Sequence, residues 1–107
     1  MKAFLLSFSA LLNANHVHAV LNSSNAVDTW VSPFPFSAIV VSRLTAIELG
    51  AVFHSHFGDT LFMLVEATAW NTSGWLPPEF WEYVNSPHAA WSRNVFKLPA
   101  SGDQTAR

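Results

Sequence analysis

The chain has no cysteine, and that absence limits the folds open to it more than any other feature. It excludes a disulfide framework and a thiolate metal site. Small secreted domains ordinarily lean on such crosslinks, because a short chain buries only about 60% of the surface it exposes when unfolded. At 107 residues there is room for one domain. Its stability then has to come from an unusually apolar core, a metal, or an oligomer or partner, or else remain marginal.

Composition favours the first of these. Half of the residues are hydrophobic, and five Trp, nine Phe and one Tyr are heavy aromatic loading for so short a chain. Charged residues make up 11%, against about 25% in an ordinary soluble domain. So little surface charge predicts exposed apolar patches, which mark partner or membrane contact and leave homo-oligomerisation open. Beyond residue 19 the basic residues are Arg43, Arg93, Lys97 and Arg107, set against Asp28, Glu48, Asp59, Glu66, Glu79, Glu82 and Asp103. Nucleic-acid binding needs clustered Lys and Arg to neutralise phosphates, and these are few and scattered. That partner class is excluded.

Residues 1–19 read as an address. Lys2 precedes the apolar run Ala3–Leu12, broken by Ser7 and Ser9, and the segment closes Val17-His18-Ala19. Small residues at the third and first positions before a cut suit a signal peptidase. The sequence therefore predicts a signal peptide over residues 1–19, cleaved after Ala19, and a secreted or periplasmic protein. Membrane association is the alternative location. The alternative structure is a buried first helix, because the run is shorter than the roughly 20 apolar residues that cross a bilayer. A second span over Phe34–Phe53 would carry Arg43 and Glu48 near its middle, at about 2.5–3.5 kcal/mol for each such charge.

Residues 20–36 read as an extended arm and a proline-rich linker, Ser32-Pro33-Phe34-Pro35-Phe36, each Pro fixing its own φ. Residues 37–98 read as a helical domain. Ser37 caps a helix predicted over Ala38–Phe53, with Val40, Leu44, Ile47 and Ala51 on one stripe. Gly58 can end a helix there. Asp59 can cap a following segment over Thr60–Trp70, in which Leu61–Val65 is apolar on every side and so predicted to be central to the core whether helix or strand, while Glu66-Ala67-Thr68-Ala69 favours helix. Asn71-Thr72-Ser73-Gly74 is a turn. Pro77-Pro78 opens a short helix over Glu79–Val84, and Ser86-Pro87 opens another that runs to about Phe96. Residues 99–107 read as a disordered tail. The expected fold is mainly α: a small single domain of three or four short helices after the signal-like segment. A small α+β domain, with a strand at Ile39–Val41 or Leu61–Val65, is the runner-up, because the first of these runs is β-branched.

Three constellations bear on function. Trp70, Trp75, Trp81, Tyr83 and Trp91, with Phe80, crowd into a short C-terminal segment. Such rings form a docking surface for a protein, a saccharide or a membrane, or else the core of a domain without disulfides. His54, His56 and Asp59 form the one metal-like cluster, suited to a zinc-like ion. Two imidazoles two residues apart share a face only on an extended backbone. This stretch resembles the His-x-His-x-Asp-His signature of the metallo-β-lactamase-like hydrolases over six residues. Gly58 stands where that family has Asp, and Asp59 stands where it has the third His. No Gly-Gly follows, and the chain is too short for the two-layered fold, so the activity is not carried over. His54 and His56 at a helix C-terminus, where His⁺ favours the dipole, is the plainer reading. Asn22 and Asn71 begin N-glycosylation sequons, usable if the source is eukaryotic.

For catalysis, Ser55, His88 and Asp103 can be drawn as a triad, but no nucleophile-elbow glycines support it. The leading expectation is therefore a small exported, non-enzymatic binding protein using its aromatic C-terminal segment. The alternatives are an exported metal-binding protein using His54 and His56, and an orphan open reading frame product without selected function.

Overall fold

Residues 2–8, the first part of the signal-like segment, form one of the two inner strands of the sheet. In the computed structural model, which describes residues 1–94, β1 (Lys2–Phe8) is followed by α1 (Ala14–Ser23), β2 (Thr29–Val31) and β3 (Ser37–Ser42). Then come α2 (Ala46–Phe57), β4 (Phe62–Ala67), α3 (Pro78–Asn85) and α4 (Pro87–Arg93). The strand order is β2-β3-β1-β4, and every neighbouring pair is antiparallel. The first six elements thus make a split βαβ arrangement, and the α3–α4 pair is added to it. The tail expected over residues 99–107 lies outside the described residues, as does the predicted end of the last helix beyond Asn94.

This is a small α+β domain, and the mainly α expectation is corrected. The helix expected over Ala38–Phe53 is two elements. Ile39-Val40-Val41 pairs with β1 on one side and β2 on the other, where β-branched side chains pack well against cross-strand neighbours. The helix starts later, at a capping box. Thr45 Oγ1 accepts from the Glu48 amide at 3.2 Å, and the Glu48 carboxylate accepts from the Thr45 amide at 2.9 Å. Those bonds hold the Glu48 carboxyl below its ordinary value. Gly58 ends the helix at φ 62°, a conformation that favours glycine. The runner-up strand at Leu61–Val65 is present as β4, but at the edge of the sheet and not at its centre.

Strand alternation divides the core between the two faces. Phe4, Leu6 and Phe8 face α1 and α2, packing with Val17, Leu21, Trp30, Val40, Leu49 and Phe53. Phe53, Phe57 and Phe62 form a ring cluster, with centroids 5.6–6.3 Å apart. Trp30 is fully buried, and its indole N–H donates to Asn22 Oδ1 at 2.9 Å. On the other face, Val31, Ile39, Val41 and Ala67 pack against Phe80, Tyr83, Val84 and Ala90 of α3 and α4. The Arg93–Glu82 ion pair, at 2.7 Å, ties those two helices together. Residues 20–36 hold the last turn of α1, strand β2 and the loop before β3.

The ring of His18 stacks on Trp30, with centroids 4.9 Å apart and planes 18° apart. Burial pushes its pKa below the ordinary value. The fold therefore favours the neutral ring, and the unfolded chain binds the extra proton. This contribution is fully present above the ordinary histidine pKa of about 6.5 and is lost as pH falls through and below it. The melting temperature is expected to drop between neutral pH and pH ~5. His18→Gln should flatten that slope, and an unchanged slope in the variant would assign it to other groups.

Candidate functional site

The α3–α4 pair covers one end of the second sheet face and leaves the other end open. Open and covered halves meet at a groove of about 160 Å³, floored by Leu5, Ile39 and Ala67. Phe34 and Pro33 from the β2–β3 loop wall one side, and Leu76, Trp81 and Val84 wall the other. Thr72 and Ser73 supply the polar side chains of its lining, and no lining residue is titratable. Thr72 already donates its hydroxyl to the Thr68 carbonyl at 2.8 Å. The groove offers apolar burial and no group to move a proton or act as an activated nucleophile.

Local sequence explains each wall. Pro77 and Pro78 set the first turn of α3, which lacks a side-chain cap. That helix buries Phe80, Tyr83 and Val84 and turns Trp81 half outward. In the loop that carries the opposite wall, Phe36 sits at φ 59°, unusual for an aromatic residue. Its carbonyl accepts from the Phe8 amide at 3.0 Å, and its ring meets the Phe8 ring edge-on at 6.1 Å. Ser32 Oγ ties the same loop together, donating to the carbonyls of Phe34 and Ser37. Phe34 is thus presented on a pinned loop.

The aromatic segment is not one patch. Trp75 and Trp81 lie together beside Pro77 and Pro78, and Trp75 is 97% exposed. Trp70, 86% exposed, borders a separate depression with Lys2, Glu66 and Pro87. Tyr83 is buried in the core beneath α3. Trp91 is half-buried on α4, with the Arg43 guanidinium 5.5 Å from its ring centre and the His88 ring 5.4 Å away. Surface and core thus share these rings: Trp81 lines the groove, Trp75 stands beside it on the surface, and Tyr83 packs inside.

His54 and His56 occupy the last turn of α2. On a helix, residues two apart point to different sides, so the shared face that joint ligation requires is not formed. His54 Nε2 lies 3.7 Å from Asp59 Oδ1 at the exposed surface, and His56 offers its backbone carbonyl to His16 Nε2 at 3.1 Å. Among the described residues, no group of three or more His, Asp or Glu side chains is placed to hold a metal. Ser55 Oγ donates back to the Val52 carbonyl, and Asp103 lies outside the described residues. Asn22 and Asn71 are both exposed, and each side-chain oxygen is engaged, by the Trp30 indole and the Thr68 amide respectively.

The groove residues that sequence reasoning passed over are Leu5, Phe34, Ile39 and Leu76. The signal for Leu5 was alternation: Leu5 and Ser7 point away from Phe4, Leu6 and Phe8 once the run is read as a strand. Among the described residues no helix is long and apolar enough to cross a membrane. Comparison with family models, with curated proteins and with solved structures finds no match to this chain.

Proposed function

We propose that this is a non-enzymatic binding protein that takes an apolar group of a protein partner into the groove between the sheet and α3. One observation carries the reading: an open groove lined almost wholly by apolar side chains and free of titratable groups. Such a surface gains free energy by excluding water from apolar area. A saccharide fits it less well, because its hydroxyls need hydrogen-bond partners that the lining does not supply. The neighbouring, exposed Trp75 extends the contact beyond the groove. Action outside the cell belongs to the same proposal only with residues 1–19 retained, because Leu5 floors the groove; the intact mass and N-terminus of the protein recovered from each compartment decide it.

The test uses an environment-sensitive apolar dye titrated against the full chain, with Leu5→Lys as the variant. Leu5 is 41% exposed, so a lysine there can reach water and leave the fold intact. Saturable binding is expected, weakened at least ~10-fold in Leu5→Lys, which is about 1.4 kcal/mol, with an unchanged circular dichroism spectrum. Equal binding by both proteins would remove the groove as the site.

A further inference from the structure

We propose that the protein self-associates by pairing β4 with β4 of a second copy, antiparallel and centred on Leu64. The argument begins with the backbone. The Ser9 amide donates to the Leu61 carbonyl at 3.0 Å, which continues the β1–β4 register in which Ser7 opposes Met63 and Leu5 opposes Val65. Hydrogen-bonded pairs alternate along an antiparallel ladder. Met63, Val65 and Ala67 therefore bond inward to β1, and Phe62, Leu64 and Glu66 turn their N–H and C=O groups to the outer edge. Among the described residues that edge has no partner strand. The last described residue, Asn94, accepts a hydrogen bond from Thr29 of β2 at 3.1 Å, so the described chain ends beside the opposite edge.

Natural edge strands avoid pairing by carrying Pro, Lys, a bulge or very short length. β4 has six residues, no Pro, no Lys and one charge, Glu66. Its side chains on the open face are apolar and exposed: Leu61 78%, Met63 64% and Val65 49%. A two-fold contact must be self-complementary, and charge selects the register. With Leu64 opposite Leu64, each Glu66 lies opposite the second copy's Phe62, and Met63 lies beside Val65. Sliding the strands to centre on Glu66 sets two carboxylates face to face, which is destabilising. The contact would cover on the order of 500 Å² on each copy, near the lower limit for a specific interface. That area predicts a reversible, concentration-dependent dimer. It does not rest on the groove reading, since β4 residues do not line the groove except for Ala67 at its end.

Sedimentation of the full chain should show the mass rising from 11.8 kDa toward twice that value with concentration. Met63→Lys should raise the dissociation constant at least ~30-fold by placing an edge-strand charge in the contact, with the monomer fold retained. The lack of native cysteine makes the register directly readable. Leu64→Cys is expected to form a disulfide-linked dimer under mild oxidation, and Glu66→Cys is not, because its two copies lie four residues out of register. Three results would overturn the proposal: a monomer at millimolar concentration, association unaffected by Met63→Lys, or crosslinking through Glu66→Cys in place of Leu64→Cys.

Discussion

A chain lacking residues 1–19 is expected not to fold. The deletion removes β1, which pairs with β3 over Lys2–Ser7 and with β4 over Ala3–Phe8. Without it nothing joins β3 to β4, and the sheet is reduced to the short β2–β3 pair and a lone β4. Backbone groups on both flanks lose their partners. Phe4, Leu6, Phe8, Leu12 and Val17, all in the main core, leave with the segment. Each large core side chain contributes roughly 1.5–3 kcal/mol on burial, and a small domain has only about 5–15 kcal/mol of net stability. Residues 20–107 should show no cooperative melting by circular dichroism and collapsed amide dispersion by NMR. A cooperative transition in that fragment would mean that β1 does not hold the domain together. The same experiment bears on export. Cleavage after Ala19 and the fold described here cannot coexist in one molecule, so the N-terminus of the natural protein decides between them.

Replacing Trp30 by alanine is expected to cost about 3–5 kcal/mol, enough to bring a small domain close to unfolding. Trp30 is the largest fully buried side chain. It lies on the short edge strand β2, packs beneath α1, and is stacked by His18 on one face. Its indole N–H is satisfied by Asn22, so truncation leaves a cavity and removes that hydrogen bond. Trp30→Phe keeps most of the apolar volume and removes the hydrogen bond, which is worth about 1 kcal/mol. Urea titrations of the two variants should therefore separate packing from hydrogen bonding. A shift below ~1 kcal/mol for Trp30→Ala would show that β2 and α1 contribute little to the cooperative unit.

The two predictions concern parts of the molecule that differ in how far they were legible. Helices α3 and α4 start where their prolines allow, at Pro78 and Pro87, and Ser86 alone separates them. These signals act within one turn of the backbone, so they read correctly without tertiary context. The close of α2 at Gly58 is equally local. The capping box at Thr45 and Glu48 was also present in the sequence. It marks the start of α2, which the apolar stripe through Val40 and Leu44 had placed too early. At the site, the Trp75–Trp81 neighbourhood was legible as aromatic density. That density did not reveal which rings were core and which were surface.

The sequence alone determined the apolar, crosslink-free character of the domain, its scarcity of charge, and the helix boundaries set by proline, glycine and asparagine. Only tertiary structure decided that Phe4, Leu6 and Phe8 form the middle of a sheet and that Leu61, Met63 and Val65 lie at its open edge. Both are short apolar runs of the same period and similar composition. What separates centre from edge is pairing: among the described residues β1 has β3 and β4 on its two sides, roughly 35 and 60 residues away in sequence, while β4 has β1 on one side only. A local pattern carries no record of how many partners a strand will find. Among the described residues, the unpartnered β4 edge follows from that count, and the groove follows from where α3 packs on the sheet.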